Sequence, residues 1–178
     1  MAHHRTLSSL ERSERRIEGC DYKNPNSGYY VILRRYTPRS EKKKMAGYSK
    51  TPLVKKLGIK PGFHVIILNA PENYTQTLGE LPEEIIVANS LAGPLDFIHF
   101  FTTRREILAA EFPQLKQALA PSGALWISWP KRSARVETDL TEDIIRAIGL
   151  ENGLVDVKVA AVDEIWSGLK FVYRLKDR

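Results

Sequence analysis

Three stretches constrain this chain most. FHVIILNA (63–70), LDFIHFFT (95–102) and ALWISWP (124–130) are apolar almost without a break. A half-buried strand alternates apolar and polar side chains, because successive residues point to opposite faces. Strands that do not alternate need cover on both faces, the condition of a parallel sheet sandwiched between helices. The segments between them read as helices. In TPLVKKLGI, Leu53, Val54 and Leu57 stand at helical spacing, with Thr51 as N-cap, Pro52 at the first helical position and Gly58 closing the end. PENYTQTLGEL (71–81) follows the first strand as a second helix. RREILAAEFPQLKQAL (104–119) is amphipathic through Ile107, Leu108, Leu115 and Leu119, and Pro113 is expected to kink it. TDLTEDIIRAIGLENG (138–153) starts with Asp139 and Glu142 at capping-box spacing. Residues 85–88 read as a short strand and PSG (121–123) as a turn. VDVKVAAVDE and LKFVYRLK read as an antiparallel pair turning around IWSG. Strands alternating with helices predict an α/β three-layer sandwich with right-handed crossovers. The sheet is expected to be mostly parallel, with a C-terminal antiparallel strand pair.

With 178 residues the chain can bury one good core. No apolar run approaches the roughly 18 residues of a membrane span, and the first twenty residues lack the apolar stretch of a secretory signal. A single cysteine, Cys20, forms no internal disulfide, which points to the cytoplasm. The net charge of +6 is not spread evenly. Residues 1–44 hold 11 Lys and Arg against 5 Asp and Glu, whereas residues 45–178 hold 16 of each. A basic arm can grip phosphates without sequence preference, while a neutral body carries no summed attraction for nucleic acid. The chain is therefore read as a basic, poorly ordered extension, 1–44, and a folded domain, 45–178. Met45 reads as a second start position at the point where the charge changes.

The order strand, helix, strand, strand, helix, LAPSGALWISWP, helix and closing strand pair resembles the class I methyltransferase version of the Rossmann fold. The stretch LAPSGALWIS is similar to that fold's glycine-turn strand, and the terminal pair to its antiparallel sixth and seventh strands. MAGYSKTPLVKKLGIKPG, APSGALWISWPK, TDLTED and GLVDVKVAAVDEIWSGLKFV together resemble a small bacterial family, domain-of-unknown-function family 3052. That resemblance covers Met45 to about Arg174 and implies a Rossmann-like fold. It carries no activity with it.

Such folds place glycines after the first strand, where they allow a tight turn and close approach of backbone to ligand. Here the corner is Asn69-Ala70-Pro71-Glu72-Asn73. Ala70 and Pro71 bring bulk where glycine is wanted, Pro71 lacks an N–H, and Glu72 repels phosphate at a helix start. The objection of charge weakens for S-adenosylmethionine, which has no phosphate. The second strand ends in VANS and offers no carboxylate for a ribose.

Beyond the fourth strand lie Trp129 and Lys131, next to the helix start at Thr138 and Asp139, where ligands of open α/β sheets sit. DEIWSGLK adds Trp166 and Lys170 as candidates, with Trp166 and Gly168 shaping a pocket wall; the neighbours Asp163 and Glu164 point to opposite strand faces and make no acid–base pair. His64 and His99 fall within strands and read as core or partly buried, and Ser128 lacks the glycines of a nucleophile elbow. No Cys, His or acidic cluster has metal spacing. Asn69, Glu72, Trp129, Lys131, Thr138, Asp139, Trp166 and Lys170 are thus the candidate ligand-binding residues, with no catalytic residue and no metal. The favoured expectation is a non-catalytic module without a cofactor, binding an unidentified protein or small molecule, with nucleic acid contact confined to 1–44 and none with membrane. The alternative is a divergent methyltransferase-like enzyme using S-adenosylmethionine.

Overall fold

The computed structural model describes residues 51–178. The expectations for residues 1–44, the boundary at Met45 and Cys20 lie outside them. Six strands form one sheet: β1 (His64–Leu68), β2 (Ile86–Val87), β3 (Leu95–Phe101), β4 (Leu119–Pro130), β5 (Leu154–Ala161) and β6 (Trp166–Tyr173). Their spatial order is β2-β1-β3-β4-β6-β5. The pairs among β2, β1, β3 and β4 are parallel, and β6 runs antiparallel to both β4 and β5. The predicted mostly parallel α/β sandwich with a closing antiparallel pair is therefore the observed fold.

Helices α1 (Leu53–Leu57) and α2 (Tyr74–Leu78) lie on one face, and α3 (Arg105–Ala118) and α4 (Glu142–Glu151) on the other. Alternation along the strands deals side chains to the two layers. Ile66, Leu68, Ile98, Phe100, Leu125 and Ile127 pack under α3 and α4. Val65, Ile67, Phe97, Phe101 and Trp126 pack under α1 and α2. The Trp126 indole also donates to the Leu57 carbonyl at 3.0 Å, fastening the end of α1 to the sheet.

Several boundaries differ from expectation, each for a local reason. The second helix shrinks to one turn and a half because Pro71–Asn73 form a turn, with the Pro71 carbonyl accepting from the Tyr74 amide at 2.9 Å. PSG does not end a strand. It bulges out of a longer β4, where Leu95 pairs with Leu119 and Phe97 already pairs with Ala124. Pro113 stays inside α3 on its exposed side. α4 begins at Glu142, not Thr138: Thr141 is the cap, accepting from the Ile144 amide at 3.4 Å. Pro52, not Thr51, stands at the cap position of α1, and Gly58 closes the helix in the left-handed region at φ 83°. The hairpin turn falls at 162–165, so Trp166, Ser167 and Gly168 belong to β6. No helix among the described residues is long and apolar enough to cross a membrane.

Candidate functional site

The sheet order reverses at β1, whose neighbours β2 and β3 both follow it in the chain. In open α/β sheets the crevice beyond the carboxyl ends at such a switch point receives the ligand. Here it is bounded by the exits of β1, β2 and β3.

The β1 exit turns without glycine. Asn69 holds φ at 54°, in the left-handed region that asparagine tolerates better than other side chains. The next methyl, Ala70, is 9% exposed and packs into the cluster under α1 and α2. It therefore points inward, away from the crevice. Glu72 and Asn73 stand exposed on the rim. The β2 exit presents Asn89, exposed, and Ser90, half-buried. The β3 exit is tied down. Thr102 donates its amide to the Ser128 carbonyl at 3.0 Å, and the Thr103 carbonyl accepts from the Thr138 hydroxyl at 2.8 Å.

The eight residues singled out from sequence do not form one cluster. Asn69 and Glu72 belong to the β1 corner. Thr138 and Asp139 lie over the end of β3, where the Asp139 carboxylate accepts from the Arg105 amide at 2.7 Å and so caps α3. Trp129 is 7% exposed and part of the core under α3 and α4. Lys131 donates its ammonium to the Asp163 carbonyl, and its amide to the Ile165 carbonyl at 2.7 Å, closing the β5–β6 hairpin onto β4. Trp166 packs edge-on against Phe101 at 5.2 Å. Lys170 sits mid-strand, opposite Trp126 and Lys158, four residues from Trp166 and so about 13 Å along the strand.

What the sequence reading missed is a buried polar chain beneath the β1 corner. The Tyr74 hydroxyl lies 2.6 Å from His99 Nδ1, and His99 Nε2 lies 2.7 Å from Ser128 Oγ. All three residues are fully buried. Burial pushes the His99 imidazole down to about 3, so the ring is neutral at physiological pH. The Tyr74 phenol is pushed well above its usual value, first by burial and then by the negative charge of Asp163. Asp163 accepts from the Ile165 and Trp166 amides at 2.8 and 2.7 Å. A signal existed in the sequence: His99 and Ser128 are the polar interruptions of two apolar runs, and both fall on the α1/α2 face. Buried and neutral, His99 bridges Tyr74 and Ser128 and so ties α2 to β3 and β4.

At the opposite, amino-terminal end of β3 and β4 a shallow cavity of about 500 Å³ opens between Leu91, Pro94, Gln114, Gln117, Leu119 and Pro121. None of the eight candidate residues reaches it. Among the described residues no three His, Cys, Asp or Glu side chains converge to hold a metal.

No protein-family model matches the chain, and no curated protein does. Solved structures do. An S-adenosylmethionine-dependent methyltransferase from Aquifex aeolicus superposes with a TM-score of 0.50 over 67% of this chain and 86% of that one, at 16% identity. The ribosomal protein L11 methylase of Lactobacillus delbrueckii subsp. bulgaricus gives 0.42 over 68% and 75%, at 15% identity. The magnesium protoporphyrin IX methyltransferase of Synechocystis PCC 6803, solved with S-adenosylhomocysteine, gives 0.38 at 16% identity. There the match covers 57% of this chain and only 56% of the enzyme's. The fold is methyltransferase-like. That finding corrects two expectations, the non-catalytic module and the absent cofactor, since the Aquifex protein sharing the fold is a methyltransferase that depends on one. The physical error lay in treating Ala70 as an obstacle, when its methyl is part of the core.

Proposed function

We propose that this chain is a divergent methyltransferase-like enzyme that binds S-adenosylmethionine in the crevice beyond β1 and β2. The observation that carries the reading is the β1 corner: Asn69 makes the tight turn in the left-handed region, and Ala70 turns its methyl into the core. Both duties of the absent glycines, turning and clearance, are thereby met. The donor set suits a cationic cofactor better than a phosphate one. Glu72 faces solvent at the rim and would attract the amino group and sulfonium of S-adenosylmethionine, where it would repel a pyrophosphate. Asn89 and Ser90 offer an amide and a hydroxyl to the ribose in place of a carboxylate. When bound, the cofactor supplies an electrophilic methyl group; the chain's own part is to orient it and exclude water. The resemblance to domain-of-unknown-function family 3052 and a cytoplasmic location, argued from the single cysteine, belong to the same proposal.

Differential scanning fluorimetry with S-adenosylmethionine, S-adenosylhomocysteine, ATP and NAD tests it. The two sulfur compounds should raise the melting temperature and the nucleotides should not; at 100-fold over Kd the gain is about 2.7 kcal/mol. Glu72→Lys, at an exposed position, should keep the parent's stability and lose that shift. Absence of any shift with either sulfur compound would sink the reading.

A further inference from the structure

The zero net charge of the body includes a local group of four cations around Lys170. Lys158 and Lys170 are register partners on β5 and β6. Like charges placed directly opposite each other on neighbouring strands are destabilising. Lys158 reaches over the end of α1, donating to the Lys56 carbonyl at 2.8 Å. A Cβ on Gly58 would stand 3.9 Å from the Lys170 ammonium, which places that ammonium against the turn leading to Lys60. Burial first, and then the charges of Lys158, Lys60 and Arg178, push the Lys170 ammonium down. None of these four cations enters an ion pair among the described residues; all five pairs lie elsewhere. A lysine on an edge strand such as β5 guards against aggregation, but Lys170 is on the interior strand β6, where no edge needs guarding. Edge protection therefore does not account for the like-charge pair at this register.

We infer that Lys60, Lys158, Lys170 and Arg178 form a docking surface for the phosphodiester backbone of a single-stranded nucleic acid. The surface is open and spread over two segments of the α1 side and two strands, and none of the four cations lines the cavity at the amino-terminal ends of β3 and β4. A compact anion would want a converging pocket, whereas a linear polyanion is matched by spaced point charges. An acidic protein partner would want an apolar centre to its interface. The exposed Val159 pairs with Leu169 of the α3/α4 core and so points to the other face of β5, and the exposed Val157 at the bulge beside Lys158 is a single valine, not an apolar centre.

Fluorescence anisotropy of a labelled single-stranded RNA oligonucleotide against salt concentration tests this on the full chain, with residues 1–44 intact. Each phosphate contact contributes about 0.7 to the slope of log affinity against log salt. The variant Lys60→Gln/Lys158→Gln/Lys170→Gln should lower that slope by about 2 and weaken binding at least about tenfold at low salt. Its melting temperature should equal or exceed the parent's, because a like-charge pair is gone. Lys60→Gln alone, at an exposed turn, should remove one contact's share of the slope and serves where the triple variant does not fold. An unchanged slope and affinity would place binding on residues 1–44 and overturn the inference. So would a parent that does not bind, or polyglutamate displacing the RNA at equal charge concentration.

Discussion

On one face of the sheet α3 and α4 run 14 and 10 residues; on the other, α1 and α2 run five each. The long helices cover the centre of their face by apolar packing, and a directional bond there, from the Tyr173 hydroxyl to the Lys116 carbonyl at 2.8 Å, lies at its half-buried edge. Phe112 and Phe171 meet edge-to-face at 5.5 Å, and Gly149 lies so close to the Phe171 ring that a Cβ would overlap it. The short helices cannot bury as much, and their face carries directional bonds: Tyr74 to His99 to Ser128, and Trp126 to the Leu57 carbonyl. The difference teaches how the crevice is supported. The corner that makes the proposed cofactor site rests on the polar face, so its geometry depends on hydrogen bonds of fixed direction and less on packed volume.

The largest expected effect tests the hydrocarbon face. Trp129→Ala should cost roughly 3–5 kcal/mol, measured by urea unfolding, because the indole fills that core. A variant as stable as the parent would move Trp129 from core to site and weaken the contrast between the faces.

Next in size is the pH dependence of the polar face. His99 in the folded state has its pKa lowered from 6.5 to about 3. The unfolded chain therefore binds a proton that the folded chain refuses between those values. The contribution is fully present above about pH 6.5 and drains as pH falls towards 3, by at most about 1.4 kcal/mol per unit. Urea melts over this range should show that slope, and His99→Gln should flatten it. An equal slope in both proteins would mean that the imidazole is not sealed.

These two tests also mark what was legible in the sequence. The unbroken apolar runs dictated a sheet covered on both faces, and that architecture is what the chain adopts. The β5–β6 pair and the burial of His99 were legible too. The Tyr74 link was not, because it joins residues 25 apart through a helix whose start depended on an unrecognised turn at Pro71–Asn73. Ala70 misled because the pattern of missing glycines says nothing about which way a methyl points. Asp139 misled through local spacing: three residues before Glu142 it has the look of a capping box, yet the chain folds it back onto a different helix.

A smaller effect separates bonding from packing within the polar face. Tyr74→Phe should cost about 1–3 kcal/mol, since it leaves a fully buried His99 nitrogen without its partner. The triple variant Tyr74→Phe/His99→Leu/Ser128→Ala removes all three polar groups together and should cost less than the single change, as apolar replacement of a whole network leaves nothing unsatisfied. A triple variant less stable than Tyr74→Phe would mean that the network itself is favourable and the two faces differ less than their chemistry suggests.

The smallest effect concerns helix ends, where the two faces differ again. Both long helices have side-chain caps: Thr141 for α4, and for α3 the distant Asp139, whose carboxylate holds the Arg105 amide. In the short helices the residues at the cap positions, Pro52 and Asn73, make no such side-chain bond. A lost cap costs about 1 kcal/mol. Asp139→Ala should therefore lower stability by about that amount, at the weak end because the bond is exposed, while Asn73→Ala should leave it unchanged. Equal losses in the two variants would show that α2 is capped in solution as α3 is. The corner at Asn69 would then owe its shape to the helix that follows it, and not to the hydrogen-bonded chain beneath.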